Sequence, residues 1–206
     1  MMEILQKLLQ RIEEYAGTEE YALELERAKE RFFNPVGKPN EKVETSETEL
    51  ANFIEWFIFD WRLPDGHNFW SKFLRYKGRE LSPIELEALK QIGHQIYSLF
   101  QAQAKNSERS RVKDLISGVQ YRAVNNLSSV LQKGDCFLGR VMVVDENFYL
   151  TEAFFFLPKA MYKFYAKRIK MVRENKFSKE EFLEELRALA MKSSRYPRMK
   201  LEEFYR

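Results

Sequence analysis

A chain of 206 residues, 45% hydrophobic and 15% aromatic, can fill the core of one generous domain or two small ones, which excludes global disorder. Its single cysteine, Cys136, excludes an internal disulfide, and with only His67 and His94 beside it no Cys/His zinc site within one chain is expected. Net charge is only +3 but unevenly placed: Met1 to Asp60 holds 7 Lys/Arg against 14 Asp/Glu, whereas Lys159 to Arg206 holds 14 against 7, a layout for pairing between the two ends or for meeting an acidic partner.

Met1 to Phe33 reads as helix, broken near Gly17-Thr18. Ile4, Leu5, Leu8, Leu9, Ile12 and Tyr15 recur every three or four residues and share one face. The opening residues, interrupted by Glu3, Gln6 and Lys7, make an amphipathic helix start and not a signal peptide. No window holds the roughly 18 apolar residues of a membrane span, so a cytoplasmic protein is expected. Two prolines and a glycine in 34–40 mark a linker.

Ser46-Glu47-Thr48-Glu49 has the form of a capping box. The helix after it is expected to bury Leu50, Phe53, Ile54, Phe57 and Ile58, and with Trp56, Phe59 and Trp61 on its other sides it reads as a central helix. Pro64-Asp65-Gly66 ends it, and His67 or Asn68 is placed to cap a short helix holding Phe69, Trp70, Phe73 and Leu74. Ser82-Pro83-Ile84-Glu85 starts another helix, which runs to Gly93.

After Gly93 the apolar period becomes two. Strands are expected at 94–102, 111–116, 119–124, 136–144 and 148–157, with turns at Ser117-Gly118, Gly134-Asp135 and Asp145-Glu146-Asn147. Five short strands with tight turns predict a small antiparallel β-barrel or an open sheet. Helix returns at 159–175, with Lys159, Lys163, Lys167 and Lys170 on one side and Met161, Phe164, Tyr165, Arg168, Ile169 and Val172 on the other. Ser178 opens a last helix carrying Phe182, Leu183, Leu186 and Leu189, and the tail from Ser193 has little periodicity. The expected class is α+β, divided as a helical segment 1–33, an aromatic-rich helical core 46–93, a β-domain 94–158, and basic helices with a tail 159–206.

Glu55-Trp56-Phe57-Ile58-Phe59-Asp60 with Leu63 and Gly66, then Leu81-Ser82-Pro83-Ile84-Glu85, then Asp114-Leu115-Ile116-Ser117-Gly118, then Lys133-Gly134-Asp135 through Arg140-Val141, stand in one order along the chain. This set resembles that of a group of functionally uncharacterised bacterial proteins, which share an E-W-aromatic-x-F-D motif followed by a strand-rich segment. The resemblance implies a two-part architecture. Some members are similar to proteins carrying a zinc motif of the type at the end of the SecA translocase; this chain has no such Cys/His cluster, and neither the metal nor a SecA link carries over.

Four sets of residues are candidate sites. Asp60, Asp65 and His67 have the chemistry for a divalent metal or for acid–base work, the basis of a metal-dependent hydrolase reading. Trp56, Phe59, Trp61 and Trp70 are suited to a ligand pocket or to core. Lys113, Arg122, Lys133 and Arg140 on the β-domain are suited to track a phosphate backbone, with Tyr97, Tyr121 or Phe137 as stacking platforms. Lys159, Lys163, Lys167 and Lys170, with Arg173, form the sharper electrostatic stripe. No P-loop, dinucleotide Gly-x-Gly-x-x-Gly or Gly-x-Ser-x-Gly elbow occurs. With no catalytic constellation and no cofactor motif, the expectation is a non-catalytic binding or adaptor protein that meets a protein partner. The alternatives are a nucleic-acid-binding protein using the β-domain and the basic helix, or the hydrolase.

Overall fold

Capping chemistry sets the helix boundaries of the N-terminal half in the computed structural model, which describes residues 2–34, 45–105, 110–124, 130–158 and 161–196. Helix α1 (Met2–Ala16) stops at Gly17, and a 3-10 turn (Glu19–Tyr21) leads into α2 (Ala22–Phe33). From residue 35 the expected linker lies outside the described residues. Ser46 begins α3 (Glu47–Phe59) with the reciprocal bonds of a capping box, Glu49 N–H to Ser46 Oγ at 3.2 Å and Ser46 N–H to Glu49 Oε2 at 3.3 Å. Asn68, not His67, caps α4 (Phe69–Lys77): its Oδ1 accepts from Ser71 N–H at 3.0 Å, and its Nδ2 donates to Phe59 O at 2.9 Å, joining the end of α3 to the start of α4. Ser82 and Glu85 box α5 (Pro83–Ile92).

These helices share an aromatic core. Phe32, Phe53, Phe57, Phe69 and Tyr21 stand in successive ring contacts with centroids 4.8–6.2 Å apart, each such pair adding about 0.5–1.5 kcal/mol to plain burial. The face buried by α3 differs from expectation at Leu50, which is 46% exposed, and at Ile54, which is half-buried, while Phe59, placed on another side, is buried. The α3 helix turns Asn52 and Glu49 inward in place of Leu50, one in the box and one bonded to Thr48 O. Trp70 is wedged against Gly93, where any Cβ would lie 2.3 Å from its ring.

The β-segment forms β1 (Ile96–Lys105), β2 (Ser110–Asp114), β3 (Gln120–Ala123), β4 (Cys136–Val144), β5 (Asn147–Leu150) and β6 (Phe155–Leu157). Strand order β1-β2-β3-β5-β4, closed by β4 pairing with β1, makes a five-stranded barrel, with β6 added antiparallel along Cys136–Leu138. Two details depart from the expected strands. The last one is interrupted at 151–154, and β3 meets β5 through one parallel pair, Ala123 with Phe148. The β4–β5 loop has both Asp145 (φ 49°) and Glu146 (φ 61°) in the left-handed region, the two-residue loop whose twist suits a hairpin.

Helices α6 (Tyr162–Arg173) and α7 (Lys179–Arg195) complete the fold, α7 continuing two residues past the expected start of the tail. Met161, Tyr165, Ile169 and Val172 are buried along α6, and Phe182, Leu183, Leu186 and Leu189 along α7. The chain divides into two compact units, Met1–Gln95 with Met142–Glu146 and Ile96–Val141 with Asn147–Arg206. Among the described residues no helix is long and apolar enough to cross a membrane.

Candidate functional site

The Asp60–His67 segment is a tight turn. Gly66 N–H donates to Leu63 O at 2.8 Å, Leu63 N–H to His67 O at 2.8 Å, and Gly66 takes φ 81°. Asp65 Oδ1 accepts from the backbone N–H of His67 at 3.1 Å and its Oδ2 meets Lys72 Nζ at 3.2 Å. Those contacts, the His67 N–H first, hold the Asp65 carboxyl below the usual carboxylate range, the wrong direction for a general acid or base near neutral pH. Asp60 closes the last turn of α3, donating its N–H to Trp56 O at 2.9 Å. Among the described residues no three His, Cys, Asp or Glu side chains are grouped to hold a metal.

The tryptophans belong to the packing of the helical unit. Trp56 packs between Phe32 and Trp61 in tilted ring contacts (5.3 and 5.4 Å), Phe59 is buried, and Trp70 Nε1 donates to Leu89 O at 2.9 Å. An open groove of about 870 Å³ lies between α2 and α3, over Phe33, Leu50 and Phe53. Two of its lining cations pair within α2, Arg27 with Glu24 at 2.6 Å and Lys29 with Glu26 at 2.8 Å.

Strand alternation sorts the β-domain residues into two sets. Tyr121 and Phe137, expected as stacking platforms, point into the barrel, where they pack with Phe100, Val112, Leu150 and Phe154. A base has no access to either ring. Arg140 is also buried, 1% exposed, with its guanidinium over the Tyr97 ring at 5.1 Å, so it is not a surface phosphate contact. Cys136 is buried and accepts from Gln101 Nε2. Lys133 is exposed on the turn before β4.

The outward set is more informative. Lys113 lies between Gln101 and Gln120 in one cross-strand row, and in the next row Arg111 is directly opposite Arg122. Arg111 and Arg122 are exposed and Lys113 is half-buried. Arg111 escaped the sequence reading. The alternation that places it outward was visible, but its partner depends on the β2–β3 register, which lies in the fold.

On α6 the stripe divides. Lys159 lies outside the described residues, and for Lys163 only its place in the helix is described. Lys167 and Lys170 are exposed, the latter 3.9 Å from Glu174 Oε1. Arg173 serves the fold: its Nε and Nη2 donate to Ile116 O and Leu115 O, both at 2.8 Å. The turn it grips is built on the buried Asp114, whose Oδ1 accepts from Ser98 Oγ and Ile116 N–H (both 2.8 Å) and whose Oδ2 accepts from Ser117 Oγ (2.7 Å).

No curated protein and no solved structure matches the chain. One family model does, over residues 1–188, which include all of the barrel and the first half of α7. The chain therefore belongs to the family described as Family of unknown function (DUF7986).

Proposed function

We propose that this protein is a non-catalytic binding or adaptor protein of the bacterial cytoplasm, which recognises a macromolecule with the outer surface of its barrel-and-helix unit. The observation that carries this reading is the filled barrel. Phe100, Tyr121, Phe137 and Phe154 occupy its interior ring against ring, and a small barrel packed with side chains has only its outside with which to bind. The sequence of that unit is cationic, with 21 Lys/Arg against 11 Asp/Glu, while that of the helical unit holds 13 against 20. Such a field draws an acidic partner.

A protein partner is supported by Phe156 and Tyr162, 44% and 51% exposed on the same unit. A nucleic acid is the second reading, favoured by the opposed arginines. The hydrolase alternative is the less favoured reading, since Asp65 already accepts from the turn and meets Lys72. Two assays of the intact chain test the proposal. It is expected to be retained on a heparin column at low salt and released by added salt, and to turn over none of a panel of phosphoesters and peptides supplied with Mg²⁺, Mn²⁺ or Zn²⁺. Turnover that disappears in Asp65→Asn would overturn it.

A further inference from the structure

The geometry points to the outer face of β1, β2 and β3 as a docking surface for the phosphodiester backbone of a nucleic-acid duplex, an inference that rests on the binding-protein reading above and names its partner. Arg111 and Arg122 are directly opposite across the β2–β3 ladder, where facing Cβ atoms are roughly 5 Å apart. Lys113 lies one outward row away, about 7 Å along the strand. Like charges in direct opposition destabilise a ladder, and among the described residues no carboxylate pairs with any of these three cations. The three strands contain a single acid, Asp114, and it is buried and faces inward. An anion bridging the two guanidinium forks relieves this opposition, and arginine is the side chain whose fork matches phosphate oxygens.

Two features choose among polyanions. Besides Ala104, the register partner of Arg111 in β1, the two rows hold Gln101, Gln120, Lys113, Arg111 and Arg122, and none of these residues is aromatic or large and apolar. A protein interface is anchored by buried aromatic or large apolar groups, and neither row supplies one. Single-strand binding is built on aromatic rings that stack bases; Tyr121 and Phe137 are inside the barrel, the half-buried Tyr97 ring is covered by the Arg140 guanidinium, and no ring stands in either row. What is left is a cationic, hydrogen-bonding surface that reads backbone and not sequence.

The test uses the full chain and fluorescein-labelled, mixed-sequence DNA and RNA duplexes, with anisotropy followed between about 50 and 200 mM salt. Binding is expected to weaken linearly on a log–log plot. In Arg111→Ala/Arg122→Ala the slope is expected to fall by about 2, with affinity at low salt reduced about tenfold or more. The same variant is expected to melt at or above the wild-type temperature, because the opposed charges are gone; loss of binding therefore does not reflect loss of fold. Unchanged duplex binding in this variant would overturn the inference, as would a tenfold preference for single strands. If Lys167→Glu/Lys170→Glu abolishes binding and the arginine variant does not, the face is overturned while the binding-protein reading survives. Binding of poly-glutamate with no binding of duplex would do the same. Absence of binding to every polyanion at the lowest salt would remove both.

Discussion

Asp114 shows how much one buried carboxylate can organise. It satisfies the Ser98 hydroxyl, the Ile116 N–H and the Ser117 hydroxyl at once, and the turn it holds frees the carbonyls of Leu115 and Ile116 for Arg173. Asp114→Ala strands buried donors, each costing about 1–3 kcal/mol, so a loss of roughly 3 kcal/mol or more is expected by urea denaturation. Asp114→Asn, which keeps one acceptor oxygen, is expected to lose less. Equal losses in the two variants would show that the acceptor bonds are not what matters. Two phenols make a second residue-scale prediction. Burial first, then the Tyr15 hydroxyl, raises the pKa of Tyr21, and burial first, then the Asp114 charge, raises that of Tyr121. A folded-state pKa above the unfolded value of about 10 means the native form holds the proton more tightly. The stability this contributes is complete below that pH and is lost as pH rises above it. Stability measured by urea is therefore expected to fall between pH 8 and pH 11, with a shallower fall in Tyr121→Phe.

At the scale of elements, caps and turns were legible because their chemistry is local. Ser46 and Ser82 each bond within three residues, so their role needs no tertiary partner. Asp145-Glu146 is a hairpin loop for the same reason. The faces of α3 and α6 were less legible. Leu50 has the period of a core residue, yet the core lies along Phe53 and Phe57, and Leu50 is left partly in water. Arg173 has the period of the exposed lysines, yet it reaches a turn more than fifty residues earlier in the chain. This separates its role from that of Lys167 and Lys170. Arg173→Lys keeps the charge but not the fork that spans two carbonyls, and about 1–2 kcal/mol of stability is expected to go with one charge-assisted bond. Hydrogen exchange at Ile116 and Ser117 should quicken, while duplex binding should hold at its wild-type value. A drop in duplex affinity in this variant, with the fold intact, would return Arg173 to the binding surface.

For the molecule as a whole, the two units are not consecutive stretches. The helical unit includes Met142–Glu146, so β4 contributes its first six residues to one unit and its last three to the other, and Asp145 N–H donates to Gln91 Oε1 at 2.6 Å within the helical unit. A strand shared in this way ties the stabilities of the two units together. Denaturation followed by tryptophan emission, which reports only the helical unit through Trp56, Trp61 and Trp70, is expected to coincide with far-UV circular dichroism, which reports both. An emission transition that precedes the dichroism transition would show that the units unfold independently.

The sequence by itself determined what short-range physics controls: helices bounded by Ser caps, strands revealed by alternation, turns at Gly118 and Gly134, and the separation of an acidic N-terminal half from a basic C-terminal one. The tertiary structure alone decided what depends on register and closure. Tyr121 and Phe137 became core because the sheet closes on itself, Arg140 was buried beside Tyr97, and Arg111 came to face Arg122 because β2 and β3 pair in one register and no other. Periodicity assigns a residue to a face of its own strand or helix. Which residue it then faces is set by pairing between segments distant in sequence, and that information is held in the packing of the whole chain and not in any local pattern.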